Sequence, residues 1–208
     1  MTASADFTRY FATCPLVAII RGVHPDEAEA IGEAILSAGI RIVEVPLNSP
    51  EPLASIERLA KRFGSEALIG AGTVLDPDDV GRVASAGGRI IVSPSTDAAV
   101  IRQAFEQGLV SAPGFFTPSE AFTALNAGAD ALKLFPAEAA SPAVVKAIRA
   151  VLPEDVPLII VGGVKPEAMR DWLAAGARGF GLGGGLYRPG QSPSDTAAKA
   201  RTYVEALG

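Results

Sequence analysis

Two residue types that commonly build metal centres and covalent cross-links are nearly missing. The chain has one cysteine, Cys14, and one histidine, His24, among 208 residues. A single cysteine excludes an intrachain disulfide and any CxxC site. A single histidine argues against a histidine-rich metal centre, so no metal is expected. Aromatic residues make up only 6% while glycine reaches 22 residues, which suggests short elements joined by tight turns. Positive charge is not in surplus: the net charge of −5 argues against a nucleic-acid partner. No window approaches 18 uncharged apolar residues, so no membrane-spanning helix is expected. The opening MTASADFTRYF lacks the charged and apolar regions of a secretory signal, and a cytoplasmic protein is expected. No linker, low-complexity tract or charge run divides residues 1–208, which we read as one domain.

What the chain does contain is an alternation. Short β-branched runs recur at 16–21, 41–45, 67–72, 89–93, 109–114, 131–135, 158–163 and 179–184. Amphipathic, alanine-rich stretches lie between them, among them 24–39, 76–88, 117–128, 141–152 and 165–176. Several open on a capping residue followed by Pro, as in Asp76-Pro77 and Thr117-Pro118, and several close on Ala-Gly. Eight strand-plus-helix units at a spacing of about 25 residues predict a (β/α)8 TIM barrel. A doubly wound open sheet is the competing arrangement. Residues 4–13 are expected to form an N-terminal helix over the barrel floor.

Four polar residues interrupt the strands. Alternation sends Leu132 and Leu134 to the helices and Lys133 to the barrel axis, and it likewise separates Val43 and Val45 from Glu44. Arg21 shares a side with Val17 and Ile19, and Thr73 with Ile69 and Ala71. All four lie at or near C-terminal strand ends, where barrel enzymes place their chemistry. A buried charge is costly unless it is paired. One reading is a structural Lys133–Glu44 ion pair. The other is a lysine whose pKa is lowered by apolar walls and by Arg21, able to attack a ketone, with Glu44 moving protons. Of the five lysines only Lys133 falls in a strand. Gly162-Gly163 and Gly183-Gly184 end the last two strands, where backbone amides can approach an anion and barrels often hold phosphate. Together these features suggest a phosphorylated keto-acid substrate. His24 and Trp172 are read as a cap or surface residue and as packing, and Phe115-Phe116 either lines the substrate mouth or packs.

The runs Glu44-Val45-Pro46-Leu47-Asn48-Ser49-Pro50, Gly70-Ala71-Gly72-Thr73, Ser93-Pro94, Pro113-Gly114, Leu132-Lys133-Leu134-Phe135-Pro136 and Gly162-Gly163-Val164 occur in this order. In them the chain resembles the KDPG/KHG aldolase family, pyruvate-type class I aldolases, over nearly its whole length. The resemblance implies a (β/α)8 barrel, a homotrimer, no cofactor, and cleavage to pyruvate and D-glyceraldehyde 3-phosphate. It implies that Lys133 forms the Schiff base and Glu44 transfers protons. Arg21 and Thr73 would hold the carboxylate and carbonyl end, and Gly162, Gly163, Gly183 and Gly184 the phosphate. Asn48 stands where gluconate-type relatives carry Arg, and Val161 where they carry a hydroxyl residue. Both favour the galacto configuration at C4. Gly184 stands where many relatives have Ser, which leaves backbone donors alone at that point. An aldolase of the same chemistry acting on the gluconate-type substrate or on 4-hydroxy-2-oxoglutarate, a phosphate-binding isomerase or synthase, and a non-catalytic sugar-phosphate binder are the rival readings.

Overall fold

The structure, a computed structural model, describes residues 2–208. Nine parallel strands form one sheet in the order β5-β4-β3-β2-β1-β9-β8-β7-β6. They are β1 (Leu16–Ile19), β2 (Ile42–Pro46), β3 (Leu68–Gly72), β4 (Ile90–Val92), β5 (Val110–Ala112), β6 (Gly114–Phe115), β7 (Leu132–Leu134), β8 (Leu158–Val161) and β9 (Gly179–Leu182). β5 and β6 are one strand interrupted by Pro113, which has no amide hydrogen for a ladder. The Ser111 carbonyl accepts from the Ala131 amide at 3.2 Å, and the Pro113 carbonyl from the Lys133 amide at 2.9 Å. β4 pairs with the first half and β7 with the second, so the sheet curls into a TIM-like α/β barrel.

Helices α1 (Ala3–Thr13), α2 (Pro25–Ser37), α3 (Pro52–Phe63), α4 (Pro77–Ser85), α5 (Ala98–Glu106), α6 (Pro118–Asn126), α7 (Pro142–Arg149), α8 (Met169–Ala174) and α9 (Pro193–Glu205) accompany the strands. Their ends follow local chemistry. Thr117 and Glu120 form a reciprocal capping box on α6, and the Asp76 carboxylate accepts from the Asp78 amide at the start of α4. α2, α4, α6 and α8 are each followed by an Ala-Gly step whose glycine has positive φ. His24 precedes α2 as its cap residue without a side-chain bond, and Trp172 is buried in the core.

Strand alternation divides the apolar residues into two cores. Val43, Val45, Ile69, Ala71, Leu132, Leu134, Leu158 and Ile160 pack against the helices. Val17, Ile19, Ile42, Leu68, Ile90, Val92, Val110, Ala131, Ile159 and Val161 fill the barrel interior. The interior group also takes in Phe7, Tyr10 and Phe11 of α1. Ile42, Leu68, Ile90 and Val110 open their strands. α1 therefore closes the N-terminal end of the barrel with aromatic rings. It is tied there by Asp6, 5% exposed, whose carboxylate meets Arg89 at 2.8 Å and Arg9 at 3.0 Å. An Asp6→Ala variant is expected to lose about 2 kcal/mol, a Tm drop of about 5 °C by calorimetry, because it strips a buried carboxylate from its cations.

Candidate active site

Lys133 leaves the middle of β7 toward the barrel axis and is 7% exposed. It lines a small chamber with Val17, Ile90, Val92, Ala112, Ile159, Val161 and Gly181, an almost wholly apolar wall. Its ammonium lies 4.9 Å from the centre of the Phe135 ring. Burial lowers its pKa below the usual lysine range; the Glu44 charge works against that shift and the Arg21 charge adds to it. Glu44, on β2, is 2% exposed. Burial pushes its carboxyl up to about 7, although Lys133 and Arg21 both pull it down. The Glu44 Oε2 atom has no hydrogen-bond partner, and among the described residues no Lys133–Glu44 ion pair forms within 4.0 Å. The structural ion-pair reading is therefore not what holds these groups. Each feels the other's charge while keeping its reactive atoms unbonded.

The carboxylate of Glu44 fits because position 72 has no side chain. A Cβ on Gly72 would lie 2.0 Å from Oε2 and 2.4 Å from Oε1. Gly72→Ala is expected to displace Glu44 and lower kcat by about 100-fold, in keeping with misplacement of a catalytic group by about 1 Å, while the circular dichroism stays native.

Above this pair three side chains from neighbouring strand ends converge. Arg21 follows β1, Asn48 follows β2 and Thr73 follows β3. An Arg21 Nη1–H donates to Asn48 Oδ1, and Nη2 donates to Thr73 Oγ1 at 3.4 Å. The placement of Thr73 corrects the expectation from alternation. Ile69 and Ala71 belong to the helix-facing core, and parity alone would turn Thr73 the same way. Instead Thr73 adopts φ 57°, an uncommon conformation for a β-branched residue, and this reverses its side chain toward Arg21.

A cleft of about 590 Å³ opens over the ends of β8 and β9. Val161, Gly162, Gly163, Gly183 and Gly184 line it together with Arg21 and Phe135. Val161 and Gly181 border both this cleft and the inner chamber that Lys133 lines, so the two spaces adjoin at those residues. Gly162 (φ 125°) and Gly163 (φ 60°) hold backbone conformations that side chains rarely adopt. The β9 turn closes when the Leu186 and Tyr187 amides donate to the Gly183 carbonyl at 2.8 and 3.0 Å. Tyr203 of α9 binds both glycine turns into one unit. Its hydroxyl donates to the Val164 carbonyl at 3.1 Å and abuts Gly185, where a Cβ would lie 2.3 Å from it.

All ten residues singled out from the sequence thus fall on one end of the barrel, at the chamber, its rim or the cleft. Phe115 and Phe116 do not line the cleft: Phe115 is buried in the helix-facing core and Phe116 is 39% exposed. Phe135 takes that place, and the inward parity of 131, 133 and 135 carried the signal. Glu138, Lys165, Arg188 and Tyr203 also line the cleft. Glu138 sits in a 3-10 turn (Ala137–Ala139), Lys165 and Arg188 on loops and Tyr203 on α9, where no strand periodicity marks them.

A barrel with a buried lysine and carboxylate beneath a glycine-lined cleft has the parts of a lysine-dependent lyase. The sequence matches the family described as KDPG and KHG aldolase over residues 8–193, and the chain belongs to that family. It is 50% identical over 192 residues to the 2-dehydro-3-deoxy-6-phosphogalactonate aldolase of Escherichia coli (strain K12), covering 92% of this chain and 94% of that one. A solved structure described as native KDPGal superposes with a TM-score of 0.92 at 49% identity, covering 93% of this chain and 94% of the other. A KDPG aldolase from Legionella pneumophila, with pyruvate captured as a covalent carbinolamine intermediate, superposes at 0.85 with 27% identity, covering 98% of both chains.

Proposed function

We propose that this protein is a class I aldolase that cleaves 2-dehydro-3-deoxy-6-phosphogalactonate to pyruvate and D-glyceraldehyde 3-phosphate. The observation that carries the reading is the buried Lys133, lining an apolar chamber that adjoins the cleft at Val161 and Gly181, with the buried Glu44 near enough for each to feel the other's charge. The neutral Lys133 amine adds to the C2 ketone, and loss of water gives a protonated imine. Glu44 takes the C4 hydroxyl proton, directly or through a water, as the C3–C4 bond breaks and its electrons flow into the imine. The aldehyde departs and leaves an enamine. Glu44 returns its proton to C3, and hydrolysis of the imine frees pyruvate and the lysine. No step calls on a metal or cofactor.

Arg21 binds the substrate carboxylate with Thr73, and Asn48 holds Arg21 in place. Gly162, Gly163, Gly183 and Gly184 present amides to the phosphate. Val161 meets the C4 region with a surface that cannot hydrogen-bond, which favours the galacto epimer. The family resemblance further supports a cytoplasmic homotrimer; among the described residues no helix is long and apolar enough to cross a membrane.

The test compares cleavage of the two C4 epimers alongside borohydride reduction in the presence of pyruvate. A stable adduct mapped to Lys133 and a higher kcat/KM for the galacto epimer are expected. Preference for the gluco epimer would move the assignment to 2-dehydro-3-deoxy-6-phosphogluconate or 4-hydroxy-2-oxoglutarate cleavage. Absence of the adduct would overturn the Schiff-base mechanism.

A further inference from the structure

The cleft is charged out of keeping with the rest of the chain. Arg21, Lys165 and Arg188 line it against one carboxylate, Glu138, so three cations less one anion give +2 where the whole chain carries −5. Such a concavity draws anions from solution. The Gly162-Gly163 amides do not by themselves explain how one would be held. The Glu138 side chain stands directly over it: a Cβ on Gly162 would lie 2.1 Å from Glu138 Oε2, and one on Gly163 2.9 Å from its Cγ. A phosphate laid on those amides meets a like charge.

The β9 turn offers the compensating charge. Arg188 reaches back four residues, and its Nε–H donates to the Gly184 carbonyl at 3.1 Å. That bond fixes the guanidinium beside the turn, while its two terminal nitrogens bond no acceptor among the described residues. The loop beneath is itself braced. Gln191 Nε2 donates to the Leu186 carbonyl at 2.7 Å and to Thr196 Oγ1 at 2.8 Å, and Lys199 donates to Gln191 Oε1. Lys165 has no comparable anchor. A planar, tethered guanidinium can bind two phosphate oxygens at once, which a mobile ammonium cannot.

We propose that Arg188 is the side chain that recognises the substrate phosphate, a specificity determinant that offsets the repulsion of Glu138. The inference rests on the aldolase reading above. The test measures cleavage of phosphorylated and unphosphorylated 2-dehydro-3-deoxygalactonate by wild type, Arg188→Ala and Arg188→Lys. In R188A the preference for the phosphorylated substrate, as a ratio of kcat/KM values, is expected to fall about 10- to 100-fold, through KM rather than kcat. R188K recovers part of it. The inhibition constant of inorganic phosphate rises in parallel in R188A, and Glu138→Gln lowers it. An equal loss on both substrates, or an unchanged ratio, overturns the role of Arg188; an unchanged or higher phosphate constant in E138Q overturns the opposing role of Glu138. Wild type without a pyruvate adduct would instead sink the aldolase reading, a result separable from failure of the arginine alone.

Discussion

Lys133→Met is expected to abolish cleavage, by about 10⁴-fold or more in kcat, and to leave the barrel folded. Methionine fills nearly the same volume among Val17, Val92, Ile159 and Val161 but has no nucleophile. The stability argument has the same sign. Burial holds the lysine pKa below its unfolded value, so the ammonium is a cost of folding at neutral pH, and the thioether removes it. The variant should therefore unfold no lower than wild type while trapping no pyruvate on borohydride reduction, as read by mass spectrometry. Residual cleavage within tenfold of wild type would show that the amine is not the nucleophile.

Glu44→Gln is expected to lower kcat about 10²- to 10⁴-fold. The carboxyl titrates at about 7, so the wild-type kcat/KM should climb with pH through that value as the base form appears. The glutamine variant should lose this limb. Stability moves the other way. The folded-state pKa lies above that of an unfolded glutamate, so the folded chain retains the proton to higher pH. The group's contribution is complete below about pH 4 and is lost as pH rises through about 7, by about 3 kcal/mol. E44Q should be more stable than wild type at pH 8 and little different at pH 4, measured by urea unfolding. A variant less active yet more stable in alkaline buffer is the mark of a group buried for chemistry rather than for packing.

Much of this site was legible because strand alternation is a strict rule. Lys133 and Glu44 broke apolar runs at inward positions, and the structure places them there. The same rule misled at Thr73, because one left-handed residue reverses parity and nothing in the composition of Gly72-Thr73-Val74 announces it. The strand around Pro113 reads as one run and exists as two short ones, since a missing amide hydrogen splits the ladder without moving the chain. Arg188 and Glu138 stayed hidden for another reason. Their places come from a guanidinium folding back on Gly184 and a loop crossing the Gly162-Gly163 turn, contacts between segments that no local period encodes.

The aromatic helix fills the barrel floor, and at the other end, among the described residues, the inner chamber adjoins the cleft over β8 and β9. In the proposed cycle the fragment bearing the phosphate lies on the cleft side, and the other remains covalently attached to Lys133 behind it. Release is then sequential, triose first and pyruvate last. Pyruvate should accordingly inhibit the cleavage competitively against substrate, and the triose phosphate noncompetitively.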